Sequence, residues 1–304
     1  MSRRFTSVEA LIDRAAHRLL DNLPSSGISG SLVEFLVFGL KQAWACLFGG
    51  LFLGLVLLTS LIWPEHAPIY RYDFLVCAAI TIQVLMLLFK LEQPAEAVVI
   101  LAFHIVGTIM ELFKTAHGSW SYPEPSVLHI GHVPLFSGFM YAAVGSYIAR
   151  VTRILDFHYS GYPPFWACAS LAVAVYVNFF AHHYVWDFRY VLFAATAVVF
   201  WRCEVHYRVF RFRHRMPLLL GFALVALFIW IGENIGTWSK TWLYPNQRII
   251  WSLVSLEKFG SWYLLMIISF VLVNLVHKPK HVLSAKERGG LESPPSGLLS
   301  EERP

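Results

Sequence analysis

Apolar residues along this chain gather in long blocks separated by short polar segments, and the blocks have the length of membrane spans. About 20 apolar residues, rising about 1.5 Å each, cross a hydrocarbon core of about 30 Å. Eight blocks meet that measure, at roughly 39–63, 73–90, 95–114, 134–150, 164–182, 188–205, 217–237 and 261–277. Backbone polar groups in lipid must be satisfied within their own segment, so the blocks are expected to be helices. Pro64, Pro94, Pro134, Pro163, Pro164 and Pro217 fall at or near block edges, where a missing N–H does least harm. The sixth block has the shortest apolar middle, with Asp187, Arg189, Arg202, Glu204 and His206 crowding its ends. The predicted fold is all-α, a polytopic membrane bundle of about eight transmembrane helices.

Composition agrees with the pattern. The 304 residues are 57% hydrophobic and only 14% charged, against about 25% charged in soluble domains. The net charge of +5 does not indicate nucleic acid as a partner, because the basic residues lie between apolar blocks, where they orient the chain in the bilayer. With a cytoplasmic N-terminus, 18 of the 24 Lys and Arg fall on the inner side and six on the outer. Both termini are therefore expected in the cytoplasm of a multi-pass cell-membrane protein. The basic run from Arg208 to Arg215 is the strongest single orientation signal. Residues 6–21 place Val8, Leu11, Ile12, Ala15 and Leu19 on one stripe of a helix suited to lie on the cytoplasmic face. The chain beyond Lys280 is rich in Ser, Pro, Gly and Glu and reads as a disordered tail. Cys46, Cys77, Cys168 and Cys203 lie in or at the ends of spans without CxxC spacing, and are expected to be buried small apolar residues.

Self-comparison reveals an internal repeat. Trp44-Ala45-Cys46 recurs as Trp166-Ala167-Cys168, and Glu111, Trp120, Tyr122 and Pro123 recur as Glu233, Trp242, Tyr244 and Pro245, all at an offset of 122. The expected organisation is a cytoplasmic N-terminal segment at 1–38, a four-helix unit at 39–153, a second at 154–277, and a tail at 278–304. An even number of crossings per unit makes these parallel repeats, related by an axis along the membrane normal, with Glu111 and Glu233 at matching depth near the outer ends of their spans.

A carboxylate inside a span costs roughly 2.5–3.5 kcal/mol on insertion scales, so Glu111 and Glu233 are expected to be paired or functional. For Glu111 an ion pair with Lys114 competes with a functional role; Glu233 has no basic neighbour in sequence. His104, Thr108 and Glu111 share a helical face, and Asn178 and His182 precede His183 and Asp187. These residues supply imidazole and carboxylate, yet no HExxH or histidine box frames them, so no metal is assigned and the cofactor stays open. Walker, GxSxG and GxGxxG motifs are absent from the sequence. The repeated Trp-x-Tyr-Pro turns place aromatic faces beside acids, a combination suited to carbocation chemistry on isoprenoids.

Several stretches carry a resemblance, among them ELFKTAHGSWSYPE (111–124), VPLFSGFMYAAV (133–144), NFFAHHYVWDFR (178–189), IWIGENIGTW (229–238) and YPNQRIIWSLV (244–254). Through them the chain resembles the uncharacterised membrane family called domain of unknown function 817, over nearly all of residues 39–277. The resemblance implies a bacterial inner-membrane protein and brings no activity, substrate or cofactor. The chain is more distantly similar to small integral-membrane carotenoid cyclases, in its tandem repeats and in Glu111 followed by Gly118-Ser119-Trp120. It departs from them at Val133-Pro134-Leu135-Phe136, where those cyclases carry paired acids.

The leading expectation is a membrane-embedded acid–base enzyme acting on a lipid or isoprenoid, a hydrophobic small molecule held in the bilayer. Glu111, Glu233, His104, His182 and Asp187 would carry the chemistry; Trp120, Tyr122, Trp242, Tyr244, Lys114, Asn178 and Asn234 would line the substrate site. A small-solute transporter or permease is the alternative, with Glu111, Lys114, His182 and Asp187 as coupling groups. A non-catalytic membrane subunit is the third reading.

Overall fold

The computed structural model describes residues 5–20 and 27–282. Ten helices dominate them: α1 (Ser7–Leu20), α2 (Gly27–Ala45), α3 (Leu47–Ile62), α4 (Arg71–Leu88), α5 (Pro94–Ala116), α6 (Phe136–Ile154), α7 (Phe165–Ala181), α8 (Arg189–Phe200), α9 (Leu218–Trp238) and α10 (Leu256–Val276). Helices α4, α5, α9 and α10 are each long and apolar enough to cross a membrane, and α2 with α3 makes a fifth if the bent pair is one span. This is a mostly helical membrane protein. Helix α10 packs against α5, α6, α7 and α9, and α6 lies along α5. The main core runs through them, with Phe48, Phe200 and Ile267 fully enclosed.

Three expectations are corrected. The first block, 39–63, is not one rod, because the chain bends by 69° between α2 and α3. Arg150 Nη1 donates to the Trp44 carbonyl beside the bend, and a side chain inserted into the carbonyl ladder is a physical cause of such breaks. The sixth block, 188–205, is cut short: α8 has 12 residues, a rise of about 18 Å. Its polar end enters an antiparallel sheet of β3 (His158–Ser160), β4 (Glu204–Arg208) and β5 (Arg213–Pro217). There Arg202, Glu204, His206 and Arg208 alternate with Cys203, Val205, Tyr207 and Val209, a period of two that signals a strand and that a span-length criterion overlooks. With the hairpin of β1 (His129–Ile130) and β2 (Val133–Pro134), these strands qualify the all-α expectation. Finally, Cys168 and Cys203 are buried, but Cys46 and Cys77 are on the exterior.

The basic run 208–215 covers the turn between β4 and β5 together with the strand ends beside it, and the Glu34 carboxylate accepts the backbone N–H groups of Phe210, Arg211 and Phe212. Helix α1 docks nearby through polar contacts. Glu9 accepts from Arg153 and from Trp44 Nε1 at 3.0 Å, while Leu11 and Ile12 of the expected stripe face outward. The side chains of Val8 and Leu19 lie outside the described residues, as does the tail from 283. Burial pulls the Glu9 carboxyl up, but the Arg153 hydrogen bond and charge, with Thr6 and Trp44, outweigh it and hold it below the ordinary value of 4.5. Such a group stabilises docking fully above its unfolded pKa, and the contribution is lost as pH falls through the folded one. Trp44→Phe removes one bond worth about 1 kcal/mol. It is expected to speed protease cleavage within α1 several-fold at neutral pH, with wild type converging on the variant in acid; equal cleavage rates at all pH values would exclude this anchoring.

Candidate functional site: two aromatic-clamped glutamates

Helices α5 and α9 end in the same way. The cap N–H of His117 donates to Phe113 and Thr115, and that of Ser239 to Ile235 and Thr237. Gly118 and Lys240 follow in the left-handed region, at φ +66° and +56°. Ser119 N–H then reaches back to Lys114 O, and Thr241 N–H to Gly236 O, both at 3.0 Å. Each of these positions stands 122 residues from its counterpart, although only Thr115 and Thr237 are the same residue. Each helix therefore closes with the wrap-back motif that satisfies orphan carbonyls, and each turn delivers its Trp-x-Tyr over the preceding helix. The two turns meet directly: Ser121 and Leu243, also 122 apart, exchange both backbone hydrogen bonds at 2.9 Å.

Beneath that bridge lie the two acids, both buried. Glu111 Oε2 accepts from Trp120 Nε1 and from Tyr122 OH, each at 2.7 Å, and Oε1 accepts from Tyr141 OH at 2.9 Å. Glu233 Oε1 accepts from Tyr244 OH, and Oε2 from Trp262 Nε1 at 2.6 Å. All five donors are neutral. Burial and then the glutamate charges hold the loop phenols Tyr122 and Tyr244 well above the usual tyrosine range, so both remain donors. The Trp120 and Tyr244 rings meet edge-on at 6.1 Å, and Tyr141 lies 5.9 Å from Trp262. Lys258 Nζ stands over Tyr244 at 4.4 Å and over Trp120 at 5.2 Å. A cavity of about 30 Å³ adjoins the donors, between Gly107, Tyr141, Trp262 and Ser269.

The remaining sequence candidates are elsewhere. Lys114 does not pair with Glu111; its amine meets His182 Nε2 at 3.1 Å and His183 Nε2 at 2.9 Å, over the Phe179 ring at 4.3 Å. Partial burial and then the Lys114 charge hold the His183 imidazole down at about 4, leaving it a neutral acceptor. Asp187 accepts from Asn178 at 3.1 Å and from Arg189 at 2.6 Å, a local turn clamp. His104 packs on Phe139 with its Nδ1 unpartnered. Asn234 ties α9 to the loop before α10 through Val254 N–H. Trp242 fills the space over Gly236 and makes no bond to Glu233, whose indole donor is Trp262 instead. Sequence reasoning passed over Tyr141, Trp262 and Lys258. Their one sequence signal is that Tyr141 and Trp262 lie 30 and 29 residues beyond the acids they serve. Among the described residues no group of three or more His, Cys, Asp or Glu is placed to hold a metal ion.

Apolar helices around a buried, neutral-donor carboxylate pair define an integral membrane protein with a polar centre in its core. The chain belongs to the family described as Protein of unknown function (DUF817), whose model matches residues 34–270. It is 44% identical over 243 residues to the uncharacterized protein YoaT of Bacillus subtilis, across 80% of this chain and 91% of the relative. No solved structure matches it.

Proposed function

We propose that the protein is a proton-coupled membrane transporter for a small solute, with Glu111 and Glu233 as the proton-carrying pair. The observation that supports this most is that both carboxylates are met by neutral donors alone. Loading or unloading a proton then breaks no ion pair, and buried carboxyls of this kind are the usual proton carriers of membrane transporters. The bilayer-enzyme reading calls for room for a prenyl or acyl chain beside the acids. The adjoining cavity of about 30 Å³ is too small for such a chain, and neither acid lines the larger apolar groove between Trp230, Asn234, Trp238 and Trp251.

The architecture we propose is eight membrane-embedded helical segments in two parallel four-helix units, with the 12-residue α8 crossing only where the β3–β4–β5 sheet continues it. The matched helix ends and the Ser121–Leu243 bridge support it, since antiparallel pairing of equivalent residues is the contact a two-fold axis normal to the sheet generates. Glu9 on Arg153, and Lys280 and Val282 on Tyr159, bring both ends of the described chain to one end of the bundle. The 18 to six division of Lys and Arg makes that end cytoplasmic. The acids then lie toward the outer face of the cell membrane.

The test is a deletion strain complemented with wild type, Glu111→Gln or Glu233→Gln, with metabolites profiled in cells, medium and lipid extract. One coupled proton across one pH unit supports about tenfold accumulation. Either variant is expected to collapse that gradient toward one and leave the lipid extract unchanged. A lipid product that vanishes with Glu233→Gln would instead establish the enzyme.

A further inference from the structure

We infer that α2 and the β4–β5 hairpin together form a docking surface for anionic phospholipid, the apolar face of α2 lying among the acyl chains and the hairpin arginines meeting headgroup phosphates. Helix α2 has two faces. Ile28, Leu32, Phe35, Leu36 and Leu40 share one of them, and all five are exposed, between 55% and 90%. The opposite face is covered by the hairpin: Val33 and Val37 pack on Val209 and Phe210, Lys41 donates to the Val209 carbonyl, and Glu34 holds three hairpin N–H groups. The bend after α2 sets its depth. At about 1.5 Å per residue its 19 residues reach about 28 Å, and a 69° bend from α3 leaves only about 10 Å of that along the direction of α3. Added to about 24 Å for the 16 residues of α3, this fills a bilayer core and leaves α2 close to its surface, the placement of an interfacial amphipathic helix.

The hairpin rises from the first residue of α9, where the Leu218 N–H donates to Cys203 O at 2.9 Å, and α9 is long and apolar enough to cross a membrane. Its base is thus at the edge of the hydrocarbon. Arg202, Arg208, Arg213 and Arg215 are exposed around it, and Trp201 and Phe212 stand beside them, 77% and 49% exposed. Among the described residues Glu204 pairs with Arg215 at 3.5 Å, and Glu34 is turned to the backbone N–H groups and to His214 at 3.9 Å. Counting both acids in full against these four arginines still leaves the surface positive. Arg202, Arg208 and Arg213 have no ion pair with a described residue. Guanidinium groups meet phosphate with paired N–H donors, and basic clusters of this kind beside a membrane helix select anionic lipid. A soluble phosphate or a nucleic acid would gain nothing from the α2 stripe, so the apolar and basic faces together favour a phospholipid. The site stands whether or not the chain transports a solute; only its assignment to the inner leaflet rests on the proposed topology.

The full chain in maltoside micelles, titrated with phosphatidylglycerol or with phosphatidylcholine and read by native mass spectrometry, tests the surface. Phosphatidylglycerol is expected to bind about tenfold tighter or more, a preference that shrinks as salt is added. Arg202→Gln, Arg208→Gln and Arg213→Gln combined should abolish the preference and leave phosphatidylcholine binding unchanged, while Arg202→Lys, Arg208→Lys and Arg213→Lys combined should keep most of it. These side chains are exposed, so neither triple variant disturbs the core. Equal binding of the two lipids, a preference that survives the glutamine variant, or displacement of phosphatidylglycerol by inorganic phosphate or by an oligonucleotide would each overturn the site. The depth of α2 is read from a nitroxide on Leu36→Cys, with Cys46→Ser and Cys77→Ser, in phosphatidylglycerol vesicles. Relaxation by oxygen should exceed relaxation by a nickel chelate; the reverse order, or label–label broadening from a second copy, would remove α2 from the leaflet. Glu111→Gln should leave the lipid preference intact, so the transport proposal and this one fail separately.

Discussion

Glu92→Ala is expected to cost about 3–5 kcal/mol of stability, the range for stripping one partner from a buried ion pair. Glu92 and Arg150 meet at 3.3 Å with both side chains fully enclosed. Ser146 and Gln83 donate to the same carboxylate, and Arg150 donates onward to the carbonyls of Trp44 and Leu91. Removing the acid leaves a guanidinium in the core with only carbonyl partners, because the nearby Glu96 and Glu9 are already paired with Arg153. Thermal unfolding in detergent, followed by tryptophan fluorescence, measures the loss. Glu92→Ala combined with Arg150→Met should recover much of it, because the orphaned charge goes with the arginine. An unchanged melting temperature in Glu92→Ala would show that the pair is not isolated from water. Arg150 also holds the carbonyl beside the α2–α3 bend, so Arg150→Met alone should loosen both.

Gly236→Ala is expected to be the most damaging single methyl in α9. A Cβ there would sit 1.9 Å from Cη2 of Trp242 and 2.4 Å from two further ring atoms. The ring cannot yield cheaply, because Trp242 is itself buried and adjoins Leu243, which pairs with Ser121. Overpacking of this kind costs about 1–3 kcal/mol and exceeds the roughly 1 kcal/mol that alanine gains over glycine inside a helix. The same exchange at Gly54, where nothing lies within 4 Å, carries no such clash and should be neutral or mildly stabilising. The unfolding midpoint should therefore fall in Gly236→Ala and stay level or rise in Gly54→Ala. Adding Trp242→Leu to Gly236→Ala should restore part of the loss. Equal shifts for both glycines would mean that helix propensity, and not the indole, sets the outcome.

The two glutamates were legible in the chain because an acid in an apolar block is conspicuous and the Trp-x-Tyr-Pro turn repeats after each. The rest of the clamp was not. Tyr141 and Trp262 occupy ordinary positions of α6 and α10, and nothing in their sequence surroundings marks them as donors to an acid on another helix. Lys114 illustrates the opposite error. Three residues from Glu111, it is well spaced for a helical ion pair, yet it turns to His182 and His183, which only the packing of α7 against the end of α5 brings near. Likewise, β3 and β4 are 46 residues apart at their starts, so their pairing has no local signature beyond the alternation in 202–209.

The sequence by itself determined the membrane class of this protein, the long helices, the family and the two acids, because hydropathy, periodicity and repetition are properties of the chain taken in order. Tertiary structure alone decided which donors clamp the acids, where the first apolar block bends, how the basic hairpin folds into a sheet, and which partners Lys114 takes. Those outcomes depend on which faces of non-adjacent helices meet, and in a close-packed bundle a side chain's partner is chosen by contact across helices and not by its neighbours in sequence.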